Sequence, residues 1–156
     1  MIETCRQIMR VREQGIPIKA ISDTLVGSAA YALAASCDSI LITESTTVGS
    51  IGSFCAVLDS SKAYEMAGLK VDVIKSGEYK GAGMDGTSLT KEQRQQYQNS
   101  SDYYGEQFRE VVRSCRVIEE ELMQGQVFIG GEAIQKGFAD DIIQDIADGY
   151  SGQEDE

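Results

Sequence analysis

Short apolar runs alternate with segments of helical spacing along nearly the whole chain, and glycines mark most of the boundaries between them. Cys5, Ile8, Met9 and Arg12 recur on one helical face, which predicts a helix over 4–14 that Gly15 ends. Pro17, the only proline, sits in a predicted strand over 16–21, and the run 21–25 extends the strand pattern to Gly27. An alanine-rich helix is predicted over 28–36, a short buried strand over 39–43, and a Ser/Thr/Gly loop over 44–53. A second helix over 59–67 stops at Gly68, a strand follows over 71–74, and 76–88 reads as a glycine-punctuated loop. Thr90 and Gln93 have the spacing of a capping box. They open a long polar helix expected to run to about Met123, with Tyr97, Tyr104, Phe108, Val111, Val112, Cys115 and Ile118 along one stripe. A strand over 127–129, a helical turn over 132–136 and a closing strand or helix over 141–146 complete the pattern. Such alternation predicts an α/β fold with a mainly parallel sheet. Residues 1–147 read as one domain, and the acidic stretch 148–156 as a frayed tail.

Composition narrows the chemistry. In 156 residues there are 14 Lys and Arg against 25 Asp and Glu, a net charge of −11 that disfavours nucleic acids and anionic lipids as partners. The longest mainly apolar run, 25–35, is far short of the roughly 20 residues that cross a bilayer, and no leader pattern opens the chain, so neither a membrane span nor a signal peptide is expected. There is no histidine, which removes Ser-His-Asp and Cys-His mechanisms and imidazole metal ligation together. Cys5, Cys37, Cys55 and Cys115 include no CxxC pair, so they read as reduced core thiols suited to a cytoplasmic protein. The acidic residues lack calcium-loop spacing and the glycines of 81–86 lack P-loop order, so no metal or cofactor is expected.

Three short segments can carry chemistry. Ser28 follows a strand and Gly27 and opens a helix, where it either caps that helix or presents a nucleophile, with the Ala29 N–H beside it as an oxyanion donor. Ser50, between Gly49 and Ile51-Gly52, marks a tight turn or a close backbone approach. Lys80 lies in a loop just past the predicted strand 71–74, where parallel sheets gather their ligand sites. A lysine base must shed its proton near neutrality, which means lowering an ordinary pKa of about 10.4 to roughly 7–8. Without histidine, lysine is the main candidate base for a nucleophilic serine.

Taken in order, these segments resemble the signal peptide peptidase A family of serine–lysine peptidases, prophage-type members included. The matching residues are Gly27-Ser28-Ala29-Ala30-Tyr31 with Ala34, Cys37-Asp38, Val48-Gly49-Ser50-Ile51-Gly52, and 62–69 with 75–80. Tyr104, Phe108, Val112 and Arg116, then 130–133 and 136–140, continue the series, which covers roughly residues 5 to 146. The resemblance implies a Clp/crotonase-type fold with Ser28 as nucleophile, Lys80 as general base, and Ser50 hydrogen-bonded to Lys80. It implies a serine endopeptidase working through an acyl-enzyme on peptide or protein substrates, either signal peptides or, in prophage relatives, head proteins. In the family a strand pair and a glycine-rich loop that supplies an oxyanion donor come before the first helix. No counterpart precedes Ile2, so the expected fold lacks those strands. A bare sheet edge and the habit of the family both lead to an expected homo-oligomer. The alternative expectation is a catalytically impaired fragment or an oligomeric assembly scaffold that keeps the fold. An acyl-CoA enzyme of crotonase type needs two oxyanion amides and usually a carboxylate base, for which the sequence offers no clear set.

Overall fold

The computed structural model describes residues 1–150; the acidic residues 151–156 lie outside the described part. Two compact units emerge, one formed by Met1–Gly52 and the chain from Tyr104 onward, the other by Ser53–Tyr103. The stretch 1–147, read above as one domain, therefore comprises two units.

The first unit opens with α1 (Ile2–Glu13) and β1 (Lys19–Ser22). The strand starts later than expected because Pro17 has no N–H to give and Ile18 donates to the Asp38 carboxylate at 2.8 Å. The predicted run 21–25 breaks at Asp23-Thr24, after which β2 (Leu25–Gly27) joins a different sheet. Next come α2 (Ala29–Ala35), β3 (Ser39–Ile42) and β4 (Thr47–Gly49), the last inside the segment expected to be loop. β1 and β3 pair in parallel, as do β2 and β4, so the two neighbouring strands leave one sheet and enter the next together. Thr46 holds that double break: fully buried, it donates through Oγ1 to Ser22 O at 2.9 Å and accepts the Thr43 N–H at 3.0 Å.

The second unit contains α3 (Ser61–Met66), with Asp59 accepting the Ser61 N–H at 3.0 Å, and the first half of α4 (Lys91–Cys115). The capping box is present: Gln93 N–H donates to Thr90 Oγ1 at 3.2 Å and Thr90 N–H to Gln93 Oε1 at 3.1 Å. No strand forms over 71–74, contrary to expectation. Val71 and Val73 are half-buried against the turns at Gly86 and Gly81, which yields an alternating pattern without a strand to pair with among the described residues of this unit.

Back in the first unit, α4 ends at Cys115 rather than near Met123. Arg116 is drawn to Asp140 through two bonds of 2.8 Å, and the Val117 carbonyl lies 2.7 Å from where a Cβ on Gly137 would stand. A 3-10 turn at Glu120–Leu122 leads to β5 (Val127–Ile129), antiparallel to β4, then α5 (Gly130–Gln135) and β6 (Asp141–Ile142), parallel to β3. The α/β class with mainly parallel pairing is thus the observed one: among the described residues β1-β3-β6 is all parallel and only β4–β5 runs antiparallel. Residues 148–150 are not frayed; they close a 3-10 turn whose Gly149 is buried against Ile21. Cys5, Tyr31, Ile40, Ile42, Val48, Phe108, Val112 and Phe138 form the core, all in the first unit. Tyr104, assigned to the helix stripe, is instead 62% exposed. All four thiols are free, but only Cys5 and Cys37 are buried; Cys55 is exposed and Cys115 lies between these extremes.

Asp140 ties the sheet to the end of α4 by accepting from Arg116 and from the Ile40 N–H at 2.7 Å. Burial pushes this carboxyl up, but Arg116 and the Ile40 amide outweigh it and hold the group below its ordinary range. A depressed carboxylate contributes stability that is present above the unfolded value of about 4 and lost as pH falls through the folded value. Asp140→Asn is therefore expected to lower the unfolding free energy at neutral pH by about 1–2 kcal/mol, the range for a charged hydrogen bond discounted for a side chain 39% exposed. Urea titrations from pH 7 to pH 3 should show a flatter acid limb in the variant than in the unmutated chain.

Candidate active site

Gly27 stands opposite Gly49 in the parallel pair β2–β4, and each is followed by a serine. Ser28 and Ser50 thus leave the carboxyl ends of two neighbouring parallel strands, the place where α/β sheets collect their ligands. Backbone bonds hold both turns: Ser28 N–H donates to Gly49 O at 2.9 Å, and Ser50 N–H to Gln126 O at 2.7 Å. The Ser50 Cβ lies 3.8 Å from where a Cβ on Gly27 would stand, so the two turns touch.

Among the described residues only these two non-glycines have positive φ, +53° at Ser28 and +55° at Ser50. A side chain held in that region costs of order 1–3 kcal/mol and persists where the surroundings over-determine it. Gly49 explains part of that constraint. It adopts φ +119°, and a Cβ there would sit 2.6 Å from Gln126 O, so only glycine lets the chain before β5 come this close. Sequence reasoning missed Gln126. The strand over 127–129 was readable, but nothing local signalled its pairing with a segment expected to be loop.

Ser28 occupies the N-cap position of α2 with ψ −126°, yet its hydroxyl makes no capping hydrogen bond. The side chain is exposed, and the strand-to-helix turn presents it instead of turning it inward. The structure thus shows no capping bond from this serine. The first bond of the helix runs from Ala32 N–H to Ser28 O at 3.2 Å, so the N–H groups of Ala29, Ala30 and Tyr31 have no partner four residues back within it. The Ala29 N–H comes first in that set.

Packing holds α2 against displacement. Tyr31 is fully buried and donates its hydroxyl to Phe138 O at 3.2 Å, with the two rings 5.2 Å apart. Burial pushes the Tyr31 phenol up, which keeps it a neutral donor. At the other end Arg12 donates to Ser36 O at 2.9 Å and to Asp38 at 2.8 Å. Beside the helix an apolar cleft of about 240 Å³ is lined by Ile21, Val26, Ala30, Leu33, Ala34 and Ile40, among others.

Ser28, Ala29 and Ser50 are thus brought together in the first unit. Lys80 belongs to the second. It is exposed within a run of turns, its N–H donating to Gly77 O at 3.1 Å, and it does not follow a strand as the sequence suggested. Among the described residues no group of three or more His, Cys, Asp or Glu is arranged to hold a metal ion, and no helix is long and apolar enough to cross a membrane.

Comparison with known proteins bears on this arrangement. The family profile described as Peptidase family S49 matches residues 10–147. The head-tail preconnector protein GP5 of Enterobacteria phage P21 is 31% identical over 139 residues, 87% of this chain and 28% of that protein. A provisionally named signal peptide peptidase SppA of Enterococcus faecium is 27% identical, covering 90% of this chain and 42% of its own. The capsid assembly protease C of Escherichia phage lambda is 28% identical, covering 87% and 31%. The chain thus spans between 28% and 42% of the length of these relatives.

If the Ser28 hydroxyl caps nothing, Ser28→Ala should change the unfolding free energy by less than about 0.5 kcal/mol, whereas losing a true N-cap costs about 0.5–2 kcal/mol. Ser28→Gly should leave the protein as stable or raise its stability by up to about 1 kcal/mol, because glycine relieves the positive φ. Denaturant titration of the three chains measures both. A loss above about 1 kcal/mol in Ser28→Ala would restore the capping role.

Proposed function

The chain belongs to peptidase family S49, and on that premise we propose that it hydrolyses peptide bonds with Ser28 as nucleophile and Lys80 as general base. The observation that carries this proposal is Ser28 itself: exposed, at positive φ on a strand-to-helix turn, its hydroxyl unused as a cap. In the proposed reaction Lys80 Nζ takes the Ser28 proton as Oγ attacks the scissile carbonyl carbon. The Ala29 N–H donates to the oxyanion that forms. When the tetrahedral intermediate collapses, the C–N bond breaks, the leaving amine takes the proton back from Lys80, and an ester to Ser28 remains. Water then attacks that ester with Lys80 as base, which releases the acid and restores the serine. Ser50 is assigned the task of holding the Lys80 amine by a hydrogen bond.

The proposed substrate is an extended protein segment. The names of the phage relatives support a head protein, and that of the SppA relative supports a signal peptide as the second possibility. The apolar cleft beside α2 suits a small or medium apolar side chain next to the cleaved bond. Self-association is proposed as well. The second unit has no buried apolar side chain among its described residues, while Phe54 and Met66 are 89% exposed, Leu58 is 80% and Ile74 100%. Apolar surface on that scale marks contact sites in soluble proteins. The free thiols suit a reducing, cytoplasmic setting.

Intact-mass analysis after treatment with a fluorophosphonate tests the assignment. The unmutated chain should gain one adduct, Ser28→Ala none, and Lys80→Ala should react at least about 100-fold more slowly, the lower end of what a general base supplies. A chain that is folded by circular dichroism yet takes up no adduct overturns the proposal and leaves an assembly scaffold as the better account.

A further inference from the structure

Lys80 sits in the middle of a turn that one helix grips on both sides. Two residues before it, the Glu78 carbonyl accepts from the Gln93 side-chain Nε2 at 3.1 Å and from Lys75 Nζ at 2.7 Å. Two residues after it, the Ala82 carbonyl accepts from the Tyr97 hydroxyl at 2.9 Å. Gln93 and Tyr97 are four apart on α4 and so share one face, matching the spacing of the two carbonyls they hold. Inside the grip the chain turns tightly: Lys80 N–H donates to Gly77 O at 3.1 Å and Ala82 N–H to Tyr79 O at 3.3 Å. Gly81 and Gly83 take φ values of +76° and +77°.

Gln93 is the more telling of the two. It is the only buried residue among the described residues of its unit, at 5% exposure. A buried amide is costly unless it is hydrogen-bonded, and here both of its ends are engaged: Oε1 accepts from Thr90 N–H while Nε2 donates to Glu78 O. A capping box needs only the acceptor. The donor serves the turn that carries Lys80.

We propose that Gln93 and Tyr97 are positioning residues that hold the Lys80 turn, and through it the amine, in its working place. The inference rests on the reading of Lys80 as the base and adds to it how a lysine on an exposed loop is kept in place. Neither residue need touch substrate. Each constrains a backbone carbonyl two residues from the lysine, where a displacement of about 1 Å is enough to cost 100-fold in a proton transfer.

Two minimal substitutions test this. Gln93→Glu keeps an acceptor for Thr90 but cannot donate to Glu78; Tyr97→Phe removes only the hydroxyl. Fluorophosphonate inactivation is followed at several probe concentrations, which separates the limiting rate from probe affinity. In that reaction the Ser28 Oγ–P bond forms, the P–F bond breaks, fluoride leaves, and the serine proton goes to Lys80. Each variant is expected to lower the limiting rate about tenfold with affinity changed less than about twofold. Hydrogen exchange over 78–83 should quicken about tenfold, with α2 unaffected. Wild-type limiting rates in both variants, with Lys80→Ala inactive, overturn the positioning role while the dyad stands; faster exchange with no change in rate does the same. Wild-type labelling of Lys80→Ala, or no labelling of the unmutated chain, overturns the reading of Lys80 and this proposal with it.

Discussion

The hydrogen bond from Ser28 N–H to Gly49 O is the constraint on which the candidate site depends. It continues the β2–β4 ladder one residue beyond the strands and compels the chain to turn sharply at Ser28 to enter α2. The neighbouring strand does the same at Ser50, whose amide is taken by Gln126. Positive φ at two adjacent serines is unfavourable for each alone. It is sustained because the sheet on one side and a packed helix on the other leave the backbone little else to do. The outcome is an exposed hydroxyl at the first turn of a helix, above backbone N–H groups with no partner four residues back in that helix.

The rest of the first unit keeps that turn from relaxing. Tyr31 and Phe138 lock α2 to the chain leaving α5, and Arg12 and Asp38 close the far end of the same helix. Arg116 and Asp140 fix the end of α4 to β3. Thr46 secures the place where two parallel strands change sheets together. Apart from the local Thr43–Thr46 bond, these bonds join residues far apart in sequence, so the turn is held by the tertiary fold and not by local propensity. The second unit contrasts with this. Its turns are held by a few polar bonds, with Gln93 where an apolar core residue would ordinarily sit.

What could be read in the sequence follows from the same distinction. The capping box at Thr90 and Gln93, the alanine-rich α2 and the buried Ile40 and Ile42 are local signals, and they appear where they were expected. The order of Ser28, Ser50 and Lys80 in a chain without histidine, together with the motif series around them, carries the resemblance to the peptidase family to which the chain belongs. β4 was hidden because Thr46, Thr47 and Gly49 have loop composition, and only pairing with β2 and β5 makes a strand of them. The opposite error occurred at 71–74, where half-burial of Val71 and Val73 against glycine turns imitates the period of a strand. The end of α4 depends on Asp140, 24 residues beyond Arg116, and no window on the helix could show it. The conformation of Ser28 was likewise unreadable, since serine at a helix start ordinarily caps.

The central claim is that Ser28 becomes acylated and that Lys80 makes it so. The most direct measurement is to react the chain with an activated peptide ester, quench in acid within the first turnover, and locate the retained acyl group by tandem mass spectrometry. The account predicts one acyl group, on Ser28, in the unmutated chain and none within the same interval in Lys80→Ala. An acyl group on another residue, or equal acylation of Ser28 in both chains, would contradict it.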